Sequence, residues 1–118
     1  MWNREELAWA AGFFDGEGSF CVLIPNRKTM RPMLHATIHQ TNKITLERFQ
    51  TACGGLGRIT GPYTKARAWN SKPYWVWQTS KFEHAQQVVL CLWPWLSSPK
   101  RTQALAMLRK KVYFVEPI

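Results

Sequence analysis

Nine residues, Ala10-Ala11-Gly12-Phe13-Phe14-Asp15-Gly16-Glu17-Gly18, constrain this chain more than any others. They end an apolar run that reads as helical from Arg4 to near Asp15. Asn3 is placed to cap free backbone N–H groups, Glu6 stands three residues later, and Trp2 and Leu7 occupy the two hydrophobic-staple positions. Gly16 and Gly18 tolerate backbone angles that no helix holds, so the spacing predicts a glycine-bracketed turn that delivers Asp15 and Glu17 at the helix foot. Ala8, Gly12 and Gly16 recur every four residues. That seam of small side chains would let a second copy of the helix approach to backbone contact, with Ala8, Ala11, Gly12 and Asp15 at the interface.

The charge is segregated as well as large. The 118 residues carry 16 Lys and Arg against 7 Asp and Glu, a net charge of +9. Between Gly18 and Phe82 stand Arg27, Lys28, Arg31, Lys43, Arg48, Arg58, Lys65, Arg67, Lys72 and Lys81, against one acid, Glu47. A surface of that kind expects a polyanion. The length suits one domain, residues 1–118, with a modest core. Cys21, Cys53 and Cys91 have no C-x-x-C spacing and read as reduced thiols of an intracellular protein. No apolar run is long enough to span a bilayer, and no membrane partner or small-molecule cofactor is expected. Most of the seven tryptophans are expected in the core.

Hydropathy then divides the chain into helix, hairpin, helix, hairpin, helix, helix. Phe20, Val22 and Ile24 alternate with Ser19, Cys21, Leu23 and Pro25. A basic loop from Asn26 to Pro32 turns the chain back into a strand from Met33 to Thr41, with Leu34, Ala36 and Ile38 on one face and Met33, His35, Thr37 and His39 on the other. Thr41 or Asn42 caps a helix reaching about Cys53. The second hairpin pairs Leu56–Tyr63 with Lys72–Thr79, Trp75 and Trp77 facing away from Lys72, Tyr74, Val76 and Gln78. Ser80 and Glu83 form a capping box for a helix from Lys81 to about Trp93, and Ser98-Pro99 opens a last helix with Leu105, Leu108 and Val112 as its apolar stripe. A sheet apolar on one side and polar on the other implies a core on one face and a polar partner on the other.

The string from Ala10 to Gly18 resembles the signature of the LAGLIDADG homing endonucleases, closely from Ala11 onward and loosely at Ala10, where the family usually has leucine. The element order resembles that family too. The resemblance implies an α+β fold, αββαββαα, with a four-stranded antiparallel saddle-shaped sheet, and site-specific cleavage of double-stranded DNA. Glu17 would be the metal-binding carboxylate, with the Gly16 carbonyl adding an oxygen. Mg²⁺ with hard oxygen ligands and several waters would activate water and offset charge on the phosphate. Lys100 matches a basic position near the scissile phosphate, and its place beside a helix N-terminus predicts an anion there. Asn42 matches a solvent-orienting glutamine. A further basic position falls on Leu46, a departure for which Arg48 is the expected substitute.

Two ribbons in the major groove would read base edges. By alternation the readers are His35, Thr37, His39, Arg58, Thr60, Lys72, Tyr74 and Gln78, with Cys21, Leu23 and Met33 as weak ones. The loop cations Arg27, Lys28, Arg31, Lys65 and Arg67 would hold phosphates. One chain carries one acidic foot, so cutting both strands of a partly palindromic site implies a homodimer. The rival readings are a cleavage-deficient DNA-binding protein or intron RNA maturase on the same fold, and half of a two-motif enzyme.

Overall fold

The computed structural model describes residues 2–23, 33–65 and 72–115. Its elements are α1 (Arg4–Glu17), β1 (Gly18–Leu23), β2 (Met33–Gln40), α2 (Lys43–Ala52), β3 (Arg58–Tyr63), β4 (Tyr74–Gln78), α3 (Phe82–Leu92), a 3₁₀ turn Trp93–Trp95 and α4 (Ser98–Val115). This is the α+β order expected. The two hairpins join along β2 and β4 into one antiparallel sheet of order β1-β2-β4-β3.

The sheet's apolar side is the side the alternation predicts. Phe20, Leu34, Ala36, Ile38 and Trp77 are buried, facing α1, α2 and α3. An aromatic spine crosses the layers: Phe20 meets Phe14 at 4.6 Å between ring centroids, Phe14 meets Phe49 at 6.0 Å, and Phe49 meets Trp77 at 4.8 Å. Trp77 is anchored at its polar end too, its Nε1 donating to the Leu56 carbonyl at 2.9 Å. Buried indole N–H groups need such a partner.

α1 begins as its cap residues dictate: Asn3 Oδ1 accepts from the Glu6 N–H at 3.1 Å. Its end differs from the expected turn. The helix runs through Gly16 to Glu17, and Gly18 has extended angles (φ −95°, ψ 168°) and starts β1. The requirement for glycine at 18 is therefore one of space. A Cβ there would come within 3.0 Å of three atoms of the Phe14 ring. Asn42, rather than Thr41, caps α2.

The third helix also starts differently. Lys81 is its N-cap without a side-chain hydrogen bond, so Ser80 makes no capping box. α4 already includes Ser98, and its core contacts come from Ala104 and Met107, with Leu105 turned 40% to solvent and Leu108 half-buried. The buried stripe is thus offset by one residue from the expected one, on the side of α4 that packs over β1. Gln103 Oε1 accepts from the Phe20 N–H at 2.9 Å, covering part of an edge strand that would otherwise be open. Among the described residues no helix is long and apolar enough to cross a membrane.

Candidate nuclease site at the foot of the first helix

Glu17 is the last residue of α1 and is exposed. The β1–β2 register starts with Gly18 opposite Ile38, directly after Glu17. Glu17 and His39 share a concavity of about 590 Å³ with Gln40, Thr41, Lys65, Lys72 and Tyr74. The His39 ring lies nearly parallel to that of Tyr74 (5.7 Å, 10°), and Tyr63 packs against Tyr74 from β3 at 5.7 Å. Expected base readers His39, Lys72 and Tyr74 and the expected phosphate contact Lys65 thus line one opening with the carboxylate.

Asp15, one turn from the same foot, has a different occupation. Its two carboxylate oxygens accept from the Ser97 backbone N–H, each at 3.1 Å, and Oδ1 also accepts from the Ser97 hydroxyl at 2.9 Å. Ser97 immediately precedes α4, so Asp15 sets a carboxylate at the positive end of that helix. The clamp ties the start of α4 to the foot of α1. Lys100 is half-buried in the first turn of α4, with Nζ 5.8 Å from the Phe14 ring centroid. It does not line the Glu17 concavity. Neither does Asn42, whose Oδ1 accepts from the Thr45 N–H at 3.3 Å as the α2 cap.

Three further expectations are corrected. Ala11 is fully buried in this chain's own core and offers no surface to a partner; the open face of α1 belongs to Gly12 and Gly16, which have nothing within 4 Å of a Cβ position, with Ala8 half-buried beside them. His35, an expected base reader, is 2% exposed, and its Nδ1 lies 2.7 Å from the Thr79 carbonyl, tying β2 to the end of β4. Arg48 does not replace the missing base at position 46. Its guanidinium pairs with both Glu6 oxygens (3.0 and 3.1 Å) and lies 3.7 Å over the Trp9 ring, which stacks on Phe13. That hydrogen-bonded pairing holds the Glu6 carboxyl below its usual range. Leu46 itself is fully buried.

Of the remaining expected contacts, His39, Arg58, Lys65 and Lys72 are exposed and Thr37, Thr60, Tyr74 and Gln78 half-buried. Arg58, Thr60 and Gln78 line a second concavity beside His35. The loop cations Arg27, Lys28, Arg31 and Arg67 lie outside the described residues, as do the side chains of Leu23 and Met33.

No protein-family model and no curated protein sequence matches the chain. Solved structures do. The archaeal intron-encoded homing endonuclease I-Vdi141I, complexed with DNA, superposes with a TM-score of 0.67 at 25% identity, over 87% of this chain and 64% of that one. The homing endonuclease I-CvuI, in complex with a DNA target, gives 0.69 at 24% identity over 92% and 69%. The LAGLIDADG homing endonuclease I-SmaMI, bound to cleaved DNA, gives 0.70 at 18% identity over 98% and 38%. The chain has the LAGLIDADG homing-endonuclease fold. It spans 32% of the DNA-bound LAGLIDADG homing endonuclease I-GzeII and about two thirds of I-Vdi141I and I-CvuI. Within this LAGLIDADG fold the signature string forms the second half of α1 and enters β1 at Gly18, and Glu17 is the helix's final residue.

Proposed function

We propose that this protein is a site-specific double-strand DNA endonuclease that acts as a homodimer on a long, partly palindromic target. The observation that carries the reading is the place of Glu17. A basic chain with a LAGLIDADG fold presents one exposed carboxylate at the junction of its signature helix and the polar side of its sheet, beside two lysines. A pure DNA binder has no use for a carboxylate among phosphate-binding cations.

A divalent cation fits the donor set only sparsely within one chain. Among the described residues no three His, Cys, Asp or Glu side chains converge. Glu17 supplies one hard oxygen, and carbonyls in the last turn of α1, that of Gly16 included, lie at the negative end of the helix dipole. One carboxylate with carbonyl and water oxygens suits Mg²⁺, which keeps several waters. Bound there, the ion would lower the pKa of a water and offset phosphate charge. Lys100 in the first turn of α4 and Asn42 at the head of α2 would act from outside the Glu17 concavity, Lys100 on the phosphate and Asn42 on solvent. The exposed Gly12 and Gly16 face supports a symmetric partner helix, which would bring two Glu17 side chains to one duplex.

The test selects cleaved sequences from a randomised duplex pool with Mg²⁺ and repeats the assay with Glu17→Gln. Double-strand products from the wild type and a loss of about 10²-fold or more in the variant support the reading. Equal activity in the two proteins refutes it in favour of a DNA-binding or RNA-binding role.

A further inference from the structure

We propose that Lys65 and Lys72 act directly on the scissile phosphate, as the cations of the Glu17 centre, rather than as contacts to distant backbone or base edges. The inference rests on the nuclease reading of Glu17. Both residues line the concavity that Glu17 lines. β3 and β4 pair Tyr63 with Tyr74 after a register shift at Thr60–Tyr63, and Lys65 and Lys72 lie two residues beyond that pair on either chain segment. Two lysines are thus brought to one small opening from the ends of two strands, both exposed. Their mutual repulsion is unfavourable in the free protein and is relieved by an anion between them. Glu17 supplies one negative charge against their two, so the opening keeps a net positive charge suited to a phosphate.

The two α2 positions considered for a catalytic base do not supply a cation. Position 46 is a buried leucine, and Arg48 is held by Glu6 and Trp9 at the opposite end of α1. In the hydrolysis, a water oxygen bonds to phosphorus as that water gives up a proton. The opposite P–O bond breaks, and its electron pair goes to the leaving sugar oxygen, which takes up a proton. Negative charge grows on the non-bridging and leaving oxygens during that exchange, and preplaced ammonium groups stabilise it more than they stabilise the ground state. His39 and Tyr74, their rings nearly parallel, line the same opening, and Tyr63 packs against Tyr74.

Single-turnover cleavage of a selected target, with protein saturating, separates this role from backbone positioning. Lys65→Met with Lys72→Met keeps the aliphatic stems and is expected to lower the saturated rate about 10²-fold or more. The double Arg variant should stay within about tenfold, since it restores charge without the same reach. A double Met variant that cleaves within about threefold of wild type at saturation, with only its Kd weakened, overturns the proposal and returns both lysines to phosphate positioning. Failure of the underlying reading looks different. There the Glu17→Gln protein matches wild type, or wild type cuts no duplex, and either result removes this proposal as well.

Discussion

Gly18→Ala is the most informative single substitution, because the backbone at 18 permits alanine and only packing forbids it. With φ at −95° the residue is in ordinary extended geometry. The added methyl would sit within 3.0 Å of three Phe14 ring atoms. Phe14 cannot give way easily: it is fully buried and meets Phe20 on one side and Phe49 on another. Overpacking of a tight core costs about 1–3 kcal/mol, and the rigidity of this ring puts the expected loss near the upper end, about 3 kcal/mol. For a domain of this size that lowers Tm by about 10 °C, at about 3–4 °C per kcal/mol. The alternative to moving Phe14 is to move the chain between Glu17 and β1, and a displacement of about 1 Å at a reacting group can cost about 10²-fold in rate. Urea denaturation and single-turnover cleavage should both be run. Phe14→Leu supplies the second arm: the double variant should be less destabilised than the sum of the singles, because the smaller side chain makes room for the methyl. A Gly18→Ala protein within about 0.5 kcal/mol of wild type, or strictly additive singles, refutes the packing account of this glycine.

Two further outcomes are expected. Burial first, and the neighbouring Cys91 second, push the Cys53 thiol up to about 12. Its folded value being raised, its contribution to stability is complete below the unfolded thiol range near about 8.5 and is lost as pH rises from there toward the folded value. Urea midpoints between pH 8 and 10 should therefore fall more steeply in wild type than in Cys53→Ala, and native Cys53 should label more slowly than the half-buried Cys21 and Cys91. Gln103→Leu leaves the Phe20 N–H without its acceptor on the edge strand and should destabilise by about 1–3 kcal/mol, with faster amide exchange at Phe20, whereas Gln103→Glu keeps the bond.

What the sequence discloses follows the range of the interaction. Asn3 and Asn42 cap helices through side chains that act three residues ahead, and the alternation of Leu34, Ala36 and Ile38 records a sheet with one buried face. Both are local patterns. Asp15 is different: its acceptor role is spent on Ser97, 82 residues away, and nothing near Asp15 in the sequence announces it. The same holds for Gly18, whose small size answers the Phe14 ring. A glycine needed for space and one needed for a turn are identical in a sequence, which is why the helix was expected to stop too early. His35 sits on the polar side of β2 by parity, as predicted, yet is buried and bonded to the Thr79 carbonyl; parity assigns a face, not its covering. Lys65 and Lys72 read as a loop cation and a strand residue, and only the folded chain brings them to the concavity that Glu17 lines.

The density of the signature string has a geometric cause. At 100° per residue, Leu7, Ala10, Ala11 and Phe14 share the face turned to the core, all four buried. Ala8, Gly12 and Gly16 fall on the opposite face, where glycine leaves room for a backbone rather than a side chain. Asp15 flanks that open face on the side of Ser97, and Trp9 and Phe13 flank it on the side of Arg48. Both flanks are thus tied to neighbouring elements by bonds that fix the helix's rotation. Glu17 then ends α1 just where β1 begins, so its direction is set by that rotation and by the Gly18–Ile38 pairing together. Inserting one residue in the string would turn Glu17 by about 100° relative to the core face. A carboxylate on a free loop would carry neither constraint, and it is this double fixation that makes Glu17 suited to meet a phosphate at a defined place.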